Sequence, residues 1–580
     1  MTLFKRMMTI LIAVLAGPGL VLAGNTKPYP TPKPIGGLSF ADETTVTVVN
    51  VDVFVRDKKG NPVESLTKDD FRIFQDGTPM PITNFAALNR DFFVHAFQTP
   101  IPGVATPTPA PEVTATKVQI KPIYVIIYID NMNLRPLDRN RVLRAVKQWV
   151  RENLHPPVHI MVVSYNRSLK VELPFTQDIP EVISALEAQK MRTGGRQTRD
   201  SDRNEIIDLM NQYIDEEHER PGAGSQNAVL YNQILRLMQS FADEESSDLR
   251  FALGALQETI QTFSGLPGRK MILYVSDGLP MAPGADLIQQ FASMFQNSSV
   301  LTLLGRYDRS QLFRSLAARA NSQGVAFYTI DAAGLQMQSD ISAENRFTSR
   351  LDAIGVGTNN YQDSLRYLAN ETGGQAIVNT NNFHKGLEKF TADLFTYYSL
   401  GYTITTSGGD RIHRIKVEIP DHPEYKLRYR RRYVEKSLET RVEDMVVTGL
   451  VFDVKKNPMQ VDVTAGTPAP ASADQWTVPI HVSFPLRKIA MLPEGDDYVG
   501  RVVLFVAARD HKGDQSDLQR QEHEVRIPAK DYEKAKRERF GIDLSLLMKK
   551  GGYNVSVGLM DQITRQASYK RLTFYVGLDK

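Results

Sequence analysis

Not one of the 580 residues is a cysteine, which excludes disulfides, thiol nucleophiles and thiolate metal ligands together. An excess of one charge is also missing. The 69 Lys and Arg stand against 66 Asp and Glu for a net +3, so no global field favours nucleic acid or a membrane surface. Beyond the N-terminal segment, no apolar run approaches the roughly 18 residues that a membrane-spanning helix requires. Sequence signatures of catalysis are absent as well. There is no Gly-x-Ser-x-Gly elbow, no His-Glu-x-x-His pair and no phosphate-cradling Gly-x-x-x-x-Gly-Lys-Ser/Thr.

What is present begins with Lys5-Arg6, the apolar run Met7 to Ala16, and Val21-Leu22-Ala23. This pattern is expected of a secretory signal over 1–23, cut after Ala23. Export without cysteine points to a bacterial periplasmic or extracellular setting. Residues 24–44 carry Pro28, Pro30, Pro32 and Pro34 and read as an extended spacer. The remaining length supports about three or four domains.

Over 45–90, alternating valines from Val46 to Val55, turns at Lys58–Pro62 and Asp76-Gly77, and Phe71, Ile73 and Phe74 predict a small β-rich unit. Within it, Asp69-Asp70 reads either as a cap for a helical turn or as a ligand pair. Proline-rich 91–121 reads as a second linker. The run Pro122-Ile-Tyr-Val-Ile-Ile-Tyr-Ile-Asp130 then has the unbroken apolar character of a central parallel strand, with an acid at the carboxyl end where open α/β sheets place ligands.

Strand and helix alternate from there. A helix follows with Asp138 at its start, then the strand His159–Tyr165, then a helix capped by Asp178, and further on a buried strand closing in Ser276-Asp277-Gly278 and another closing in Asp331. Residues 191–227, opening on Gly194-Gly195, interrupt this alternation as a polar insertion. Its Glu216-Glu217-His218-Glu219 reads either as a metal cluster or as a solvated helix face. Over 401–436 an antiparallel extension is expected. Its alternate bases Lys426, Arg428, Arg430 and Arg432 suit either an anionic polymer or a solvated strand edge. From 444 to 580, strands starting with Val446–Phe452 and ending with Leu572–Val576 predict an Ig-like β-sandwich.

The segment Val51-Asp-Val-Phe-Val-Arg-Asp-Lys-Lys-Gly-Asn-Pro-Val63, with Leu66–Phe71 and Phe74-Gln-Asp-Gly77, resembles the N-terminal signature of acidobacterial-type von Willebrand factor A-related domain proteins. The βα order over 122–400 is similar to a von Willebrand factor A domain, which implies a doubly wound, mainly parallel sheet. The resemblance also implies a Mg²⁺ site built from Asp-x-Ser-x-Ser after the first strand, a loop Thr, and an Asp after the fourth strand. Here the first motif reads Asp130-Asn131-Met132-Asn133-Leu134, with no hydroxyl at either serine position. The Thr position falls near Ser246 to Arg250, where no Thr occurs and an inward Arg250 would replace the metal electrostatically. Asp277 matches.

Asp130 and Asp277 are therefore expected to form a degenerate metal pair that holds Mg²⁺ or another divalent cation weakly or not at all. Asn131, Asn133, Asp277 and Gly278 form the expected partner-binding edge. The expected function is non-enzymatic protein–protein interaction or adhesion, with a protein partner, no nucleic acid, no membrane span after signal cleavage, and oligomeric state open. The alternatives are a structural cell-envelope protein with the central domain as scaffold, and a hydrolase whose site the sequence does not reveal.

Overall fold

The computed structural model describes residues 45–97, 121–219, 224–335, 349–406 and 409–577. The expected signal, the spacer, most of the second linker and residues 336–348 lie outside them. Among the described residues no helix is long and apolar enough to cross a membrane.

The strand Ile123–Asp130 sits inside a six-stranded sheet ordered 376–377, 325–331, 269–276, 123–130, 158–165, 169–176. The first five strands run parallel and Leu169–Thr176 pairs antiparallel at the edge. The apolar character of 123–130 follows from this position, because its side chains alternate between two covered faces. Val125, Ile127 and Ile129 enter a core with the helices Pro136–Asn153 and Phe383–Phe395, whereas Ile126 and Tyr128 enter a second core with Gly224–Thr262 and Ser310–Ser322.

Local sequence sets the helix starts. Asp178 accepts from the Glu181 amide at 2.9 Å, with a proline in the first turn. At the earlier helix Pro136 takes the first helical position and Arg135 the cap, so Asp138 lies in the first turn rather than capping.

A second body is assembled from distant segments. Thr45–Arg56 pairs antiparallel with Tyr397–Thr406 and with Lys426–Arg428, and Ile82–Leu88 lies on the far side of Tyr397–Thr406. A further sheet orders 432–435, 411–418, 72–75 and 78–80. One apolar core, including Val51, Phe71, Leu400 and Val417, joins residues from both stretches of chain. Here Asp70 caps: its carboxylate accepts from the Thr67 amide at 2.6 Å and hydroxyl at 2.9 Å, so the pair Asp69-Asp70 belongs to a helical turn.

The C-terminal segment packs two antiparallel sheets face to face around Val478, Leu504, Leu546 and Val557. One expectation fails there. Val446–Phe452 is not a strand; the helix Leu438–Gly449 runs into it, capped by Ser437 accepting from the Thr440 amide at 3.1 Å. Val442, Val446 and Leu450 recur every four residues and cover Val503, Phe505 and Ala507 on the outer face of the sandwich. That burial outweighs the β propensity of Val446-Val447.

Candidate functional site

The carboxyl edge of the central sheet gathers three acids: Asp130 and Asp331 at strand ends and Asp277 one residue past Ser276. The loop 131–133 folds back as a helical turn on Asp130, and both carboxylate oxygens are committed. Oδ1 accepts from the Asn133 amide at 3.2 Å and from its Nδ2 at 3.1 Å. Oδ2 accepts from the Tyr274 hydroxyl at 2.5 Å, Asn133 Nδ2 at 3.0 Å and the Ser276 hydroxyl at 3.2 Å. Burial raises the Asp130 pKa, and these donors pull against it.

Asn133 ties the layer together. Its carbonyl accepts from the Asp277 amide at 3.1 Å, and its Oδ1 accepts from Arg199 Nη1 at 2.8 Å. Asn131 Oδ1 accepts from Arg139 Nη1 at 2.9 Å, and its carbonyl accepts from the Gly195 amide at 3.2 Å. The expected insertion is thus folded onto the site. Residues Arg196–Glu219 form a helix whose first turn lies over the carboxyl edge.

Gly194 and Gly195 permit that approach. A Cβ on Gly194 would lie 2.2 Å from the Leu134 carbonyl oxygen, and one on Gly195 2.6 Å from Met132 Sδ. No side chain fits between the two loops.

The seating delivers two guanidinium groups. Arg199 meets Asn133 and also Asp248 at 3.3 Å. Arg196 stacks 3.9 Å above the Tyr361 ring, donates to Asp200 at 3.1 Å, and acts through space on Asp277. Asp277 accepts from the Arg135 amide at 3.3 Å through Oδ2. Its Oδ1 and Arg196 Nη1 are both buried and have no hydrogen-bond partner among the described residues.

Burial pushes the Asp277 carboxyl up to about 7, with Arg196 pulling it down and Asp138 and Asp331 adding to the rise. Asp331, buried and accepting from Gln362 at 2.8 Å, is pushed up to about 6.

These groups do not fit Mg²⁺. The ion needs six hard oxygens in near-octahedral geometry. Asp130 has both oxygens occupied by N–H and O–H donors, Met132 and Leu134 lie in the two hydrophobic cores, Arg199 occupies the Asn133 amide oxygen, and the Arg196 guanidinium lies within Coulombic reach of Asp277. Among the described residues no cluster of three His, Asp or Glu is placed to hold an ion.

Arg250 does not supply the positive charge; it points to solvent, and Ser246 instead accepts from Arg309 at 2.8 Å. Nor do the four expected edge residues reach a partner. Asn131, Asn133 and Asp277 are at most 5% exposed, and Gly278 is buried under Tyr361, whose carbonyl oxygen would lie 2.4 Å from a Cβ there.

What remains open is a cavity of about 250 Å³ walled by Arg167, Thr193, Thr198, Arg199, Glu244 and Asp248. Glu216 and Glu217 are exposed on the helix, the side chains of His218 and Glu219 lie outside the described ones, and Arg428 turns inward to Asp393 at 2.5 Å.

No protein-family model and no curated protein matches the chain. Several solved structures share weak likeness. An aerotolerance-related membrane protein from Bacteroides fragilis is 13% identical, covering 46% of this chain and 98% of its own at a TM-score of 0.22. The conserved hypothetical protein BatB from Bacteroides thetaiotaomicron is 12% identical over 47% of this chain and 98% of its own, at 0.22. The pilus adhesin SpaC from Lactobacillus rhamnosus GG is 8% identical over 78% of this chain and 67% of its own, at 0.25. Similarity this low carries no argument about fold or function. The fold stands on its own topology: mixed α/β, with a mostly parallel central sheet and several antiparallel sheets.

The raised acids make stability depend on pH. A carboxyl whose folded pKa lies above its ordinary 3.8 holds its proton more tightly in the native state. The native state therefore gains below the unfolded pKa and loses that advantage as pH rises toward about 7. Asp277→Asn is expected to flatten the fall in melting temperature between pH 4 and pH 7, removing up to about 4 kcal/mol of pH dependence. Equal slopes in mutant and wild type would contradict the assignment.

Proposed function

We propose that the chain is an exported bacterial, non-enzymatic binding protein built on a von Willebrand factor A-like domain, with an Ig-like β-sandwich behind it. In this reading the positive charge at the sheet edge comes from the protein itself. The observation that carries it is the Arg199 guanidinium donating to Asn133, with the Arg196 guanidinium within Coulombic reach of Asp277, where the resemblance implies a metal.

A built-in cation needs no ion from solution, so binding on this edge is independent of divalent cations. Partner contact moves outward from Asn131, Asn133, Asp277 and Gly278 to the rim of the neighbouring cavity. The exposed Arg167, Thr193 and Glu244 lie on that rim. Mixed charge there favours a protein partner with complementary polar groups.

The test is affinity capture from cell-envelope extracts, with EDTA present, using wild type and an Arg167→Glu/Glu244→Lys double variant. The expected result is a partner retained in EDTA and lost, or weakened at least tenfold, in the variant. Recovery of the same partners by both proteins would remove this edge as the binding surface and favour the central domain as a scaffold.

A further inference from the structure

A second cavity lies at the opposite, amino edge of the central sheet. It measures about 580 Å³ and sits between the starts of the strands Arg269–Ser276 and Val325–Asp331, the end of the helix Ser310–Ser322, and the sheet containing Thr45–Arg56. Six cationic side chains line it, Lys121, Arg269, Lys270, Arg430, Lys436 and Arg441, against only Asp52 and Glu435. Cavity walls with one dominant sign of charge concentrate counter-ions.

Most of the neutralising partners are already engaged. Asp52 pairs with Arg269 at 2.9 Å, Glu435 meets His413 at 3.2 Å, and Lys436 is held by Asp444. Lys270 and Arg430 are left without a carboxylate in contact. Lys270 is 8% exposed, and its Nζ donates to the Ser264 carbonyl at 2.9 Å and the Leu266 carbonyl at 3.1 Å, leaving a third proton. Arg430 donates from Nη2 to the Asn50 carbonyl at 2.6 Å. Burial, with Lys436 and Arg430 nearby, lowers the Lys270 pKa to about 7 despite the opposing pull of Asp444.

Two polar atoms on the same walls have no partner among the described residues: Ser264 Oγ, in a residue 6% exposed, and Asn321 Oδ1, in a residue 4% exposed. Asn321 Nδ2 is used, donating to the Glu371 carbonyl at 3.0 Å. A buried acceptor without a donor is destabilising, so its persistence beside two cations with no carboxylate in contact calls for a ligand that supplies both an anion and a donor.

We propose that this cavity binds a small hydroxylated oxyanion, with Lys270 and Arg430 taking the charge and Ser264 and Asn321 taking the hydroxyl groups. The proposal stands apart from the carboxyl edge and survives if that reading fails. The ligand class covers hydroxy-carboxylates and polyol phosphates.

The test is thermal melting and calorimetric titration of the full chain with citrate, glycerol 3-phosphate and sulfate at matched ionic strength. Citrate or glycerol 3-phosphate at millimolar concentration is expected to raise the melting temperature by several degrees, and the stronger of the two identifies the oxyanion. Sulfate, with no hydroxyl to donate, is expected to bind at least tenfold more weakly. Arg430→Gln is expected to weaken the favoured ligand at least tenfold. Ser264→Ala removes a hydroxyl with no protein partner, so it should leave the ligand-free melting temperature unchanged while weakening binding severalfold, and it decides the matter if Arg430→Gln does not fold. No shift with either hydroxylated anion, equal binding of sulfate, or undiminished binding by Ser264→Ala would overturn the proposal.

Discussion

Asp393→Ala is expected to cost about 3–5 kcal/mol of stability, the usual loss when one member of a buried charge network is removed. Asp393 is 1% exposed and sits on the helix Phe383–Phe395. Its Oδ1 accepts from Arg56 at 2.6 Å, and its Oδ2 accepts from Arg428 at 2.5 Å and the Tyr328 hydroxyl at 3.0 Å. Arg56 ends the long N-terminal strand, Arg428 ends a strand of the return segment, and Tyr328 lies in the central sheet. Arg269 adds donations to the Asp393 and Leu394 carbonyls while pairing with Asp52.

One carboxylate therefore ties two paired strands of the second body to the central sheet, and its loss leaves two guanidinium groups facing each other in a poorly solvated space. Thermal melting and urea unfolding check this, with exposed Asp543→Ala as the control. A loss under about 1 kcal/mol would mean that the network contributes no more than a surface pair does.

Arg139→Met carries the second large effect. Arg139 is fully buried in the helix Pro136–Asn153. It donates to Asn131 Oδ1 at 2.9 Å, to the Arg192 carbonyl at 2.8 Å and to the Lys190 carbonyl at 2.9 Å. Methionine fills the volume of the stem but leaves the buried Asn131 Oδ1 unpaired, at about 1–3 kcal/mol, and frees the half-buried Lys190 and Arg192 carbonyls as well. The expected loss is about 3 kcal/mol or more.

The location of the damage matters more than its size. Residues 190–192 lead into Gly194-Gly195 and Arg196, so the variant is expected to loosen the segment that carries the guanidinium groups. Limited proteolysis should cut between 190 and 199 much faster in Arg139→Met than in wild type. Unchanged protection there, alongside lowered stability, would separate Arg139 from the site.

Much of the central sheet is legible from single residues. Unbroken apolar runs ending in Asp130, in Ser276-Asp277 and in Asp331 are what two covered faces and a polar edge demand. Other features were hidden for identifiable reasons. Val446-Val447 looks like strand because two adjacent β-branched residues mask the four-residue spacing of Val442, Val446 and Leu450. The strand Arg539–Lys549 is marked by Phe540, Ile542, Leu544, Leu546 and Met548 at alternate positions, a period-two signal diluted by the polar Asp543 and Ser545 between them and by Arg539 and Lys549 at the ends. The pairing of Val53 with Tyr398 joins residues too far apart in sequence for any local pattern to register.

The site was half legible. Met132 and Leu134 in the serine positions announce the loss of metal ligands, and both lie in apolar cores. Arg250 falls where the resemblance implies a loop threonine, but it is exposed. The signal that marks the actual source is Gly194-Gly195 followed by Arg196 and Arg199: two residues without side chains allow a close approach, and two arginines one helical turn apart follow directly. Polar composition made the segment look like an insertion remote from the sheet. Its buried partners, Asn131, Asn133 and Asp277, lie about sixty residues earlier and eighty residues later, a proximity that only the fold supplies.

The most direct measurement is thermal melting of the full chain with EDTA and with millimolar Mg²⁺ or Mn²⁺, since an ion bound to the native state must raise the melting temperature. With Arg196 and Arg199 supplying the charge at the sheet edge, the melting temperature is expected to be the same in all three conditions, for wild type and for Asp277→Asn. A rise of several degrees in Mg²⁺ or Mn²⁺ that disappears in Asp277→Asn would contradict it and restore a metal to the carboxyl edge.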